Sequence, residues 1–433
     1  MQCLSTIAAN IPGQFVGKAP KASFYLYRTE DAPTEYPIEE HNWACGAERA
    51  DSIGADIIST SLGYSDFDPP LTGSNYTYAD MNGNTTMSAI AADLAAKKGL
   101  MVFASVGNSG NSSWRFLITP SDGDSVVAVG AVDTLGNVAG FSSYGPSSDG
   151  QIKPNVASIG VNAIVQSTNN NIGTSNGTSF SCPNMAGLAT CLWQGFPEFN
   201  NMKIVRALQQ AGSRALNPND RIGYGIPDMK KAFSDLLIEY ATSSASFNSC
   251  TTTVNWSSKD VSAMKYEIER KAPGETNFSK VGEINPLAGT ILANRSYQFI
   301  NTLFNVSAGT VSYRIRQIID TAASSFTALF IDTANVAVNA FCPEPAVTGI
   351  LISLAPNPSS GQVNLIVETN FAVTDMPVNV YDMKGRLMLR LKLSKGTGKA
   401  TFDLPVSRLA KGKYTIVVFN KESRMGTAEL IRL

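Results

Sequence analysis

The sequence predicts an α/β region built on a parallel sheet, followed by two all-β sandwich regions. Three observations carry this expectation. Between residues 20 and 135, short apolar runs alternate with helical periodicities closed by glycine, the pattern of strands joined by crossover helices. Near residue 243 helical periodicity ends, and Thr, Ser, Asn and Val dominate short alternating runs. A Pro- and Asn-rich break, Ala355-Pro356-Asn357-Pro358-Ser359, then precedes a further series of strands that continues to Leu433. Domains are therefore expected at 1–242, 243–345 and 346–433, in keeping with a length beyond what one hydrophobic core organises.

Taken in order, residues 2–10 read as part of a helix, and residues 22–27 as the first strand. Asn42 is expected to cap a helix that runs to Ile53 and stops at Gly54, with residues 55–60 as the next strand. Thr85 or Thr86 caps a helix through Lys98, ended by Gly99, and residues 100–105 and 126–132 supply two more strands. These strands are apolar on both faces, which implies a sheet covered on both sides. From Phe180 to Trp193 the chain is small or apolar almost all round, as suits a buried central helix. Apolar spacings of three and four predict helices over 202–211 and 227–240. Strands are expected at 252–256, 265–270 and 311–318, and then at 363–368, 378–382, 387–393 and 413–419.

The composition, 43% hydrophobic and 16% charged with 35 Gly and 21 Pro, is that of a packed, turn-rich protein rather than a disordered one. A net charge of -1 argues against nucleic acid as a partner. The charge is uneven: residues 350–433 hold 12 Lys or Arg against 6 Asp or Glu, which is compatible with an anionic cell envelope but reads first as a plain solvated surface. No apolar run approaches the roughly 18 residues that span a bilayer, so no transmembrane segment is expected. The first residues have no basic group ahead of their apolar stretch and do not read as a signal peptide. Six cysteines, Cys3, Cys45, Cys182, Cys191, Cys250 and Cys342, include no C-x-x-C pair, so metal ligation by cysteine is not expected. Cys250 and Cys342 bracket a strand-rich segment and are candidates for a disulfide in an oxidising compartment. Cys182 and Cys191 sit among small apolar residues, where buried, inert thiols are expected.

The sharpest chemical signal is Gly177-Thr178-Ser179-Phe180-Ser181-Cys182-Pro183, followed by Asn184-Met185-Ala186-Gly187. It places a serine at the start of an apolar helix, where the helix dipole and the serine's own N–H favour a developing negative charge. The same residues would also make an ordinary capping turn. Two other segments follow expected strands: Val102-Phe103-Ala104-Ser105-Val106-Gly107-Asn108-Ser109-Gly110 and Ser61-Leu62-Gly63. In this chain order the three segments resemble the subtilisin-like serine protease (subtilase) family, with its G-T-S-x-x-x-P nucleophile motif and its strand leading into G-N-S-G. The resemblance implies Ser179 as nucleophile, Asn108 as a donor in the oxyanion hole, and Ser61, Leu62 and Gly63 as the edge that binds a peptide substrate. Weaker similarities are Phe141-Ser142-Ser143-Tyr144-Gly145-Pro146, Lys153-Pro154-Asn155-Val156 with Asn155 at the family's usual Asp, and Gly223-Tyr224-Gly225-Ile226-Pro227-Asp228. The resemblance spans residues 1 to about 240.

The family's triad runs Asp, then His in an H-G-T motif, then Ser. The single histidine, His41, is followed by Asn42 and Trp43 and precedes a helix that should come after the catalytic His, so it is not expected to be catalytic. Residues 2–10 resemble the helix that directly follows H-G-T. The resemblance thus implies an incomplete peptidase domain, with the triad Asp and His absent. Such a chain is expected to be nearly inactive, since losing the histidine costs on the order of 10⁶ in turnover in subtilisin itself. The leading reading is a serine endopeptidase missing its first part; the alternative is a noncatalytic surface protein that retains the groove for binding. No cofactor is expected, although Asp66, Asp68 and Asp80 are candidate calcium ligands, as in many subtilases.

Residues 243–345 are similar to a fibronectin type III or immunoglobulin-like sandwich, with Trp256 as core aromatic and Tyr313-Arg314-Ile315-Arg316-Gln317 as a late strand. Residues 346–433 resemble the carboxy-terminal sorting domain of bacterial type IX secretion. The matching pieces are Pro356-Asn357-Pro358-Ser359 with Gly361, Val380-Tyr381-Asp382-Met383-Lys384-Gly385-Arg386, and Gly412-Lys413-Tyr414-Thr415-Ile416. This implies the type IX machinery as a partner beside a peptide or protein substrate, and a location outside the cell or on its surface.

Overall fold

The computed structural model describes residues 1–260, 263–287, 293–319, 329–343 and 349–433; the boundary expected at 345/346 lies outside them. Two compact units form: Met1–Ser246 with Thr253–Asn301 and Val311–Val336, and Phe247–Thr252 with Thr302–Thr310 and Ala337–Leu433.

A parallel sheet organises the first unit. Its strands β1 (Ile57–Thr60), β2 (Met101–Ser105), β3 (Val127–Val132) and β4 (Val156–Ile159) lie in sequence order, paired for example as Ile57↔Met101, Phe103↔Val127 and Val129↔Val156. Every residue of β2 and β3 is buried, as apolar side chains on both faces require. Helix α1 (Gln2–Ala8) precedes the sheet, while α2 (Ile38–Ser52) and α3 (Met87–Lys97) pack together through Trp43, Ala47, Ala92 and Ala95 over Val102 and Ala104. Thr86 caps α3 as expected, its hydroxyl accepting the Ala89 N–H at 3.3 Å.

Two expectations are corrected here. Residues 22–27 form no strand, and Phe24, Tyr25, Leu26 and Tyr27 are exposed. An apolar extended run becomes a strand only with a ladder partner, and among the described residues β1 ends the sheet without pairing to it. Helix α2 begins at Ile38, one turn before Asn42. The Glu39 carboxylate there accepts the Asp31 and Tyr36 N–H groups at 2.7 and 2.9 Å, whereas the Asn42 amide donates to the Thr29 carbonyl.

After β4 comes a hairpin that the sequence did not signal, β5 (Ala163–Gln166) with β6 (Ile172–Ser175). Then α4 (Thr178–Gly195) lies against β1, β2, β3 and β4. Helices α5 (Asn201–Gln210) and α6 (Met229–Tyr240) are capped by Asn200 and Asp228. Cys182 on α4 is buried, but Cys191 is exposed. Nine residues at 3.6 per turn place the two about 180° apart, so only one can face the sheet.

Antiparallel strands follow α6: β7 (Thr242–Asn248), β8 (Thr251–Lys259), β9 (Ala263–Lys271), β10 (Ser279–Ile284), β11 (Asn294–Thr302), β12 (Gly309–Ile319) and β13 (Leu329–Val338). They form sheets of order β11-β8-β7 and β10-β9-β12-β13. Trp256 and Tyr297 from one sheet meet Tyr266 from the other, with ring centroids 4.8 to 5.7 Å apart. The buried Asp260 carboxylate accepts from the Tyr266 and Tyr297 hydroxyls at 2.7 Å.

In the second unit Cys250 and Cys342 are joined in the disulfide the sequence suggested. There β14 (Leu351–Ala355), β15 (Val363–Thr369), β16 (Val373–Asp382), β17 (Leu387–Lys395), β18 (Gly398–Leu404), β19 (Gly412–Asn420) and β20 (Ser423–Arg432) form antiparallel sheets β14-β15-β18 and β17-β16-β19-β20. Val363 and Leu365 of one sheet share a fully buried core with Val378, Val380, Ile416 and Val418 of the other. Among the described residues no helix is long and apolar enough to cross a membrane.

Candidate active site

The start of α4 is fixed by backbone geometry before any side chain contributes. Gly177 has φ +151°, a conformation that a residue with a Cβ rarely adopts, and its N–H donates to the Gly160 carbonyl at 2.8 Å. Ser179 follows in the first turn, half-buried, where helix N–H groups have no intrahelical acceptor. Its hydroxyl donates to the Ser61 carbonyl at 3.3 Å, and the Ser61 hydroxyl donates to the Ser179 carbonyl at 2.9 Å.

That reciprocity has a cause in the sequence. Pro183 lies inside α4, four residues after Ser179, and has no N–H to give the Ser179 carbonyl. The Ser61 hydroxyl supplies the missing donor. One turn on, the Cys182 thiol donates to the Thr60 carbonyl at 3.3 Å, so the first turns of α4 are held to the end of β1. Burial pushes the Cys182 thiol up to about 12, which makes it an inert thiol despite its proximity to Ser179.

Asn108 stands just beyond β2, after Gly107 with φ +100°. Its Oδ1 accepts from the Thr178 N–H at 2.9 Å and the Thr178 hydroxyl at 3.1 Å. Because a backbone N–H can only donate, the amide oxygen must face Thr178, and Nδ2 is turned to donate elsewhere. Asn108 is exposed, so that donor is accessible, and it is tied to the residue immediately before Ser179.

Ser61, Leu62 and Gly63 follow β1 and are all half-buried. Leu62 packs against the cluster around Trp43 and Val102. At Gly63 a Cβ would lie 2.6 Å from the Thr119 carbonyl oxygen, which also accepts the Tyr64 N–H at 2.9 Å, so the close approach admits only glycine. The structure therefore gathers Ser61 and Asn108 around Ser179. His41 stays apart: it is exposed on α2, with Nδ1 3.4 Å from the Pro37 carbonyl of its own helix. Among the described residues no histidine or carboxylate is bonded to the Ser179 hydroxyl.

The candidate calcium ligands do not converge. Asp66 bonds Ser65 and Asn75, Asp68 accepts the Glu35 N–H at 2.9 Å, and Asp80 forms a capping box with Thr77. A different acidic group, Glu30, Glu35 and Glu39, brings carboxylate oxygens within 4.8 Å of one another beside a cavity of about 400 Å³. Sequence reasoning missed it because the loop holding Glu30 and Glu35 is placed by α2, not by any local pattern. Burial first, then the charges of Glu39, Glu30 and Asp68, push the Glu35 carboxyl up to about 7. Both Glu39 oxygens are already engaged by backbone N–H groups, so the cluster alone does not define an ion site.

Residues 353–431 match the family described as the secretion system C-terminal sorting domain, which marks the chain for secretion or the cell surface. Subtilisin DY of Bacillus licheniformis is 33% identical over 211 residues, covering 48% of this chain and 67% of that protein. The thermophilic serine proteinase of Bacillus sp. (strain AK1) is 33% identical over 177 residues, 41% of this chain and 37% of that protein. The chain thus spans between about a third and two thirds of these relatives. Among solved structures, the self-cleaved protease domain of PatA is 22% identical, covering 54% of this chain and 82% of that one with a TM-score of 0.45. Residues 1–225, more than half of the sequence, match the subtilase family, and the chain belongs to that family.

Proposed function

We propose that the chain belongs to a secreted serine endopeptidase that hydrolyses peptide bonds through an acyl-enzyme on Ser179, with residues 1–242 as its peptidase region. The observation that supports this most is the Asn108–Thr178 pair, which orients an amide donor beside the nucleophile's turn. In this reading the Ser179 oxygen attacks the scissile carbonyl, and the resulting oxyanion accepts from Asn108 Nδ2 and the Ser179 N–H. The serine proton passes through a base to the leaving amine, and water then releases the acyl group. The Ser61–Gly63 edge offers its backbone to the peptide. A carbonyl oxygen such as that of Ser61 cannot take the serine proton, and among the described residues no histidine or carboxylate bonds the Ser179 hydroxyl, so in this reading residues 1–433 alone hydrolyse amides very slowly. The partners are a peptide or protein substrate and the type IX exporter. The chemistry proposed requires no cofactor.

The test uses an acyl donor that needs little help from a base. The chain is incubated with the p-nitrophenyl ester of a blocked tetrapeptide and digested for mass spectrometry. Acyl mass on the peptide containing Ser179, absent in S179A, is expected, with negligible hydrolysis of the corresponding anilide. Equal acylation of S179A and the unaltered chain would overturn the reading.

A further inference from the structure

The end of α4 opposite Ser179 opens onto an aromatic group. Phe196 is fully buried, with ring centroids 5.0 Å from Phe233 and 5.9 Å from Phe199, and Tyr240 completes the group 6.1 Å from Phe196. Into it projects Lys259, the last residue of β8, with a fully buried side chain. Its ammonium donates to the carbonyl of Gly195, the last residue of α4, at 2.8 Å, and to both Glu198 oxygens at 3.0 and 2.9 Å. It also lies 4.7 and 5.3 Å from the centroids of Tyr240 and Phe196.

A buried ammonium is costly unless its donors are satisfied, and these three go to a carboxylate and a helix-terminal carbonyl. A positive charge at that carbonyl complements the negative end of the helix, and the rings add cation–π attraction. Lys259 is itself immobilised: its carbonyl accepts from Gln317 Nε2 at 3.1 Å, and the next residue, Asp260, anchors Tyr266 and Tyr297. Only Ala241 separates α6 from β7, so the backbone leaves no slack at this joint either.

We propose that the sandwich holding Lys259 is a built-in clamp on the helix that carries Ser179, with Lys259 closing its C-terminal end. The peptidase region and the sandwich that supplies Lys259 then unfold as one body, where a spacer domain would unfold by itself. This is independent of whether the chain cleaves peptides.

The test compares the full chain with K259M and E198Q by calorimetry and amide hydrogen exchange. Methionine retains the apolar stem of Lys259 and removes only the ammonium. The unaltered chain is expected to melt its peptidase region and this sandwich in one transition. K259M lowers that transition and speeds exchange of residues 190–196 about tenfold or more, leaving strands β19 and β20 unchanged. E198Q, at a side chain 46% exposed, moves both readouts the same way by less. Separate transitions in the unaltered chain, or unchanged exchange at 190–196 in the variants, would overturn the proposal. Should K259M not fold, E198Q decides by the same exchange measurement.

Discussion

Replacing Ser61 with alanine should loosen the start of α4, and removing Pro183 should make that replacement harmless. Ser61 Oγ is the donor for a carbonyl that Pro183 leaves without its N–H partner. Losing one such hydrogen bond costs about 0.5–1.5 kcal/mol, with the upper part of the range applying where water cannot replace the donor. Ser61 and Ser179 are half-buried, so about 1 kcal/mol is expected, a fall of roughly 1–2 °C in melting temperature for a compact unit of more than about 300 residues. In P183A the residue at 183 has an N–H, and the helix supplies its own donor to the Ser179 carbonyl. S61A in that background should then cost little, giving a coupling near 1 kcal/mol in a double-mutant cycle. Thermal melts of the four proteins, with ester acylation of Ser179 as a second readout, measure it. A coupling within about 0.3 kcal/mol of zero would show that Ser61 does not act as the surrogate donor.

Two further outcomes are expected. N108D keeps an acceptor for Thr178 and removes the donor, so it should melt close to the unaltered chain, while N108A leaves the buried Thr178 N–H unpaired and melts lower. Both should slow ester acylation by on the order of 10²–10³, a magnitude that comes from subtilisin itself; acylation of N108D at the unaltered rate would contradict the donor role. Glu35, whose carboxyl is pushed from 4.5 up to about 7, binds its proton more tightly in the folded chain than in the unfolded one. Its contribution to stability therefore falls as pH rises from about 4.5 to about 7 and stays low above that. E35Q, neutral throughout, should match the unaltered chain at low pH and melt increasingly higher than it across that window; parallel curves would refute the assignment.

The segments that form the candidate site could be picked out in the sequence because each is a short stretch. Gly177 before Thr178-Ser179, and Gly107 before Asn108, encode backbone conformations within a few residues. Thr86 as a cap and the apolar strands β2 and β3 are equally local, since caps and burial periodicity act over a turn or less. Other features depend on which distant residues fold together. Residues 22–27 have the composition of a strand but no ladder partner among the described residues, and Asn42 has the chemistry of a cap but lies within a helix that begins at Ile38, after Pro37. Cys182 and Cys191 share a neighbourhood in sequence and face opposite ways on one helix. The Ser61 donor to Ser179, the Asn108 contact with Thr178, the Glu30–Glu35–Glu39 group and the Lys259 cap on Gly195 each join separate segments of chain. Hydrogen-bond partners and electrostatic neighbours are set by distance in space, so only the tertiary structure decided which groups meet, while local sterics had already decided what conformation and chemistry each could bring.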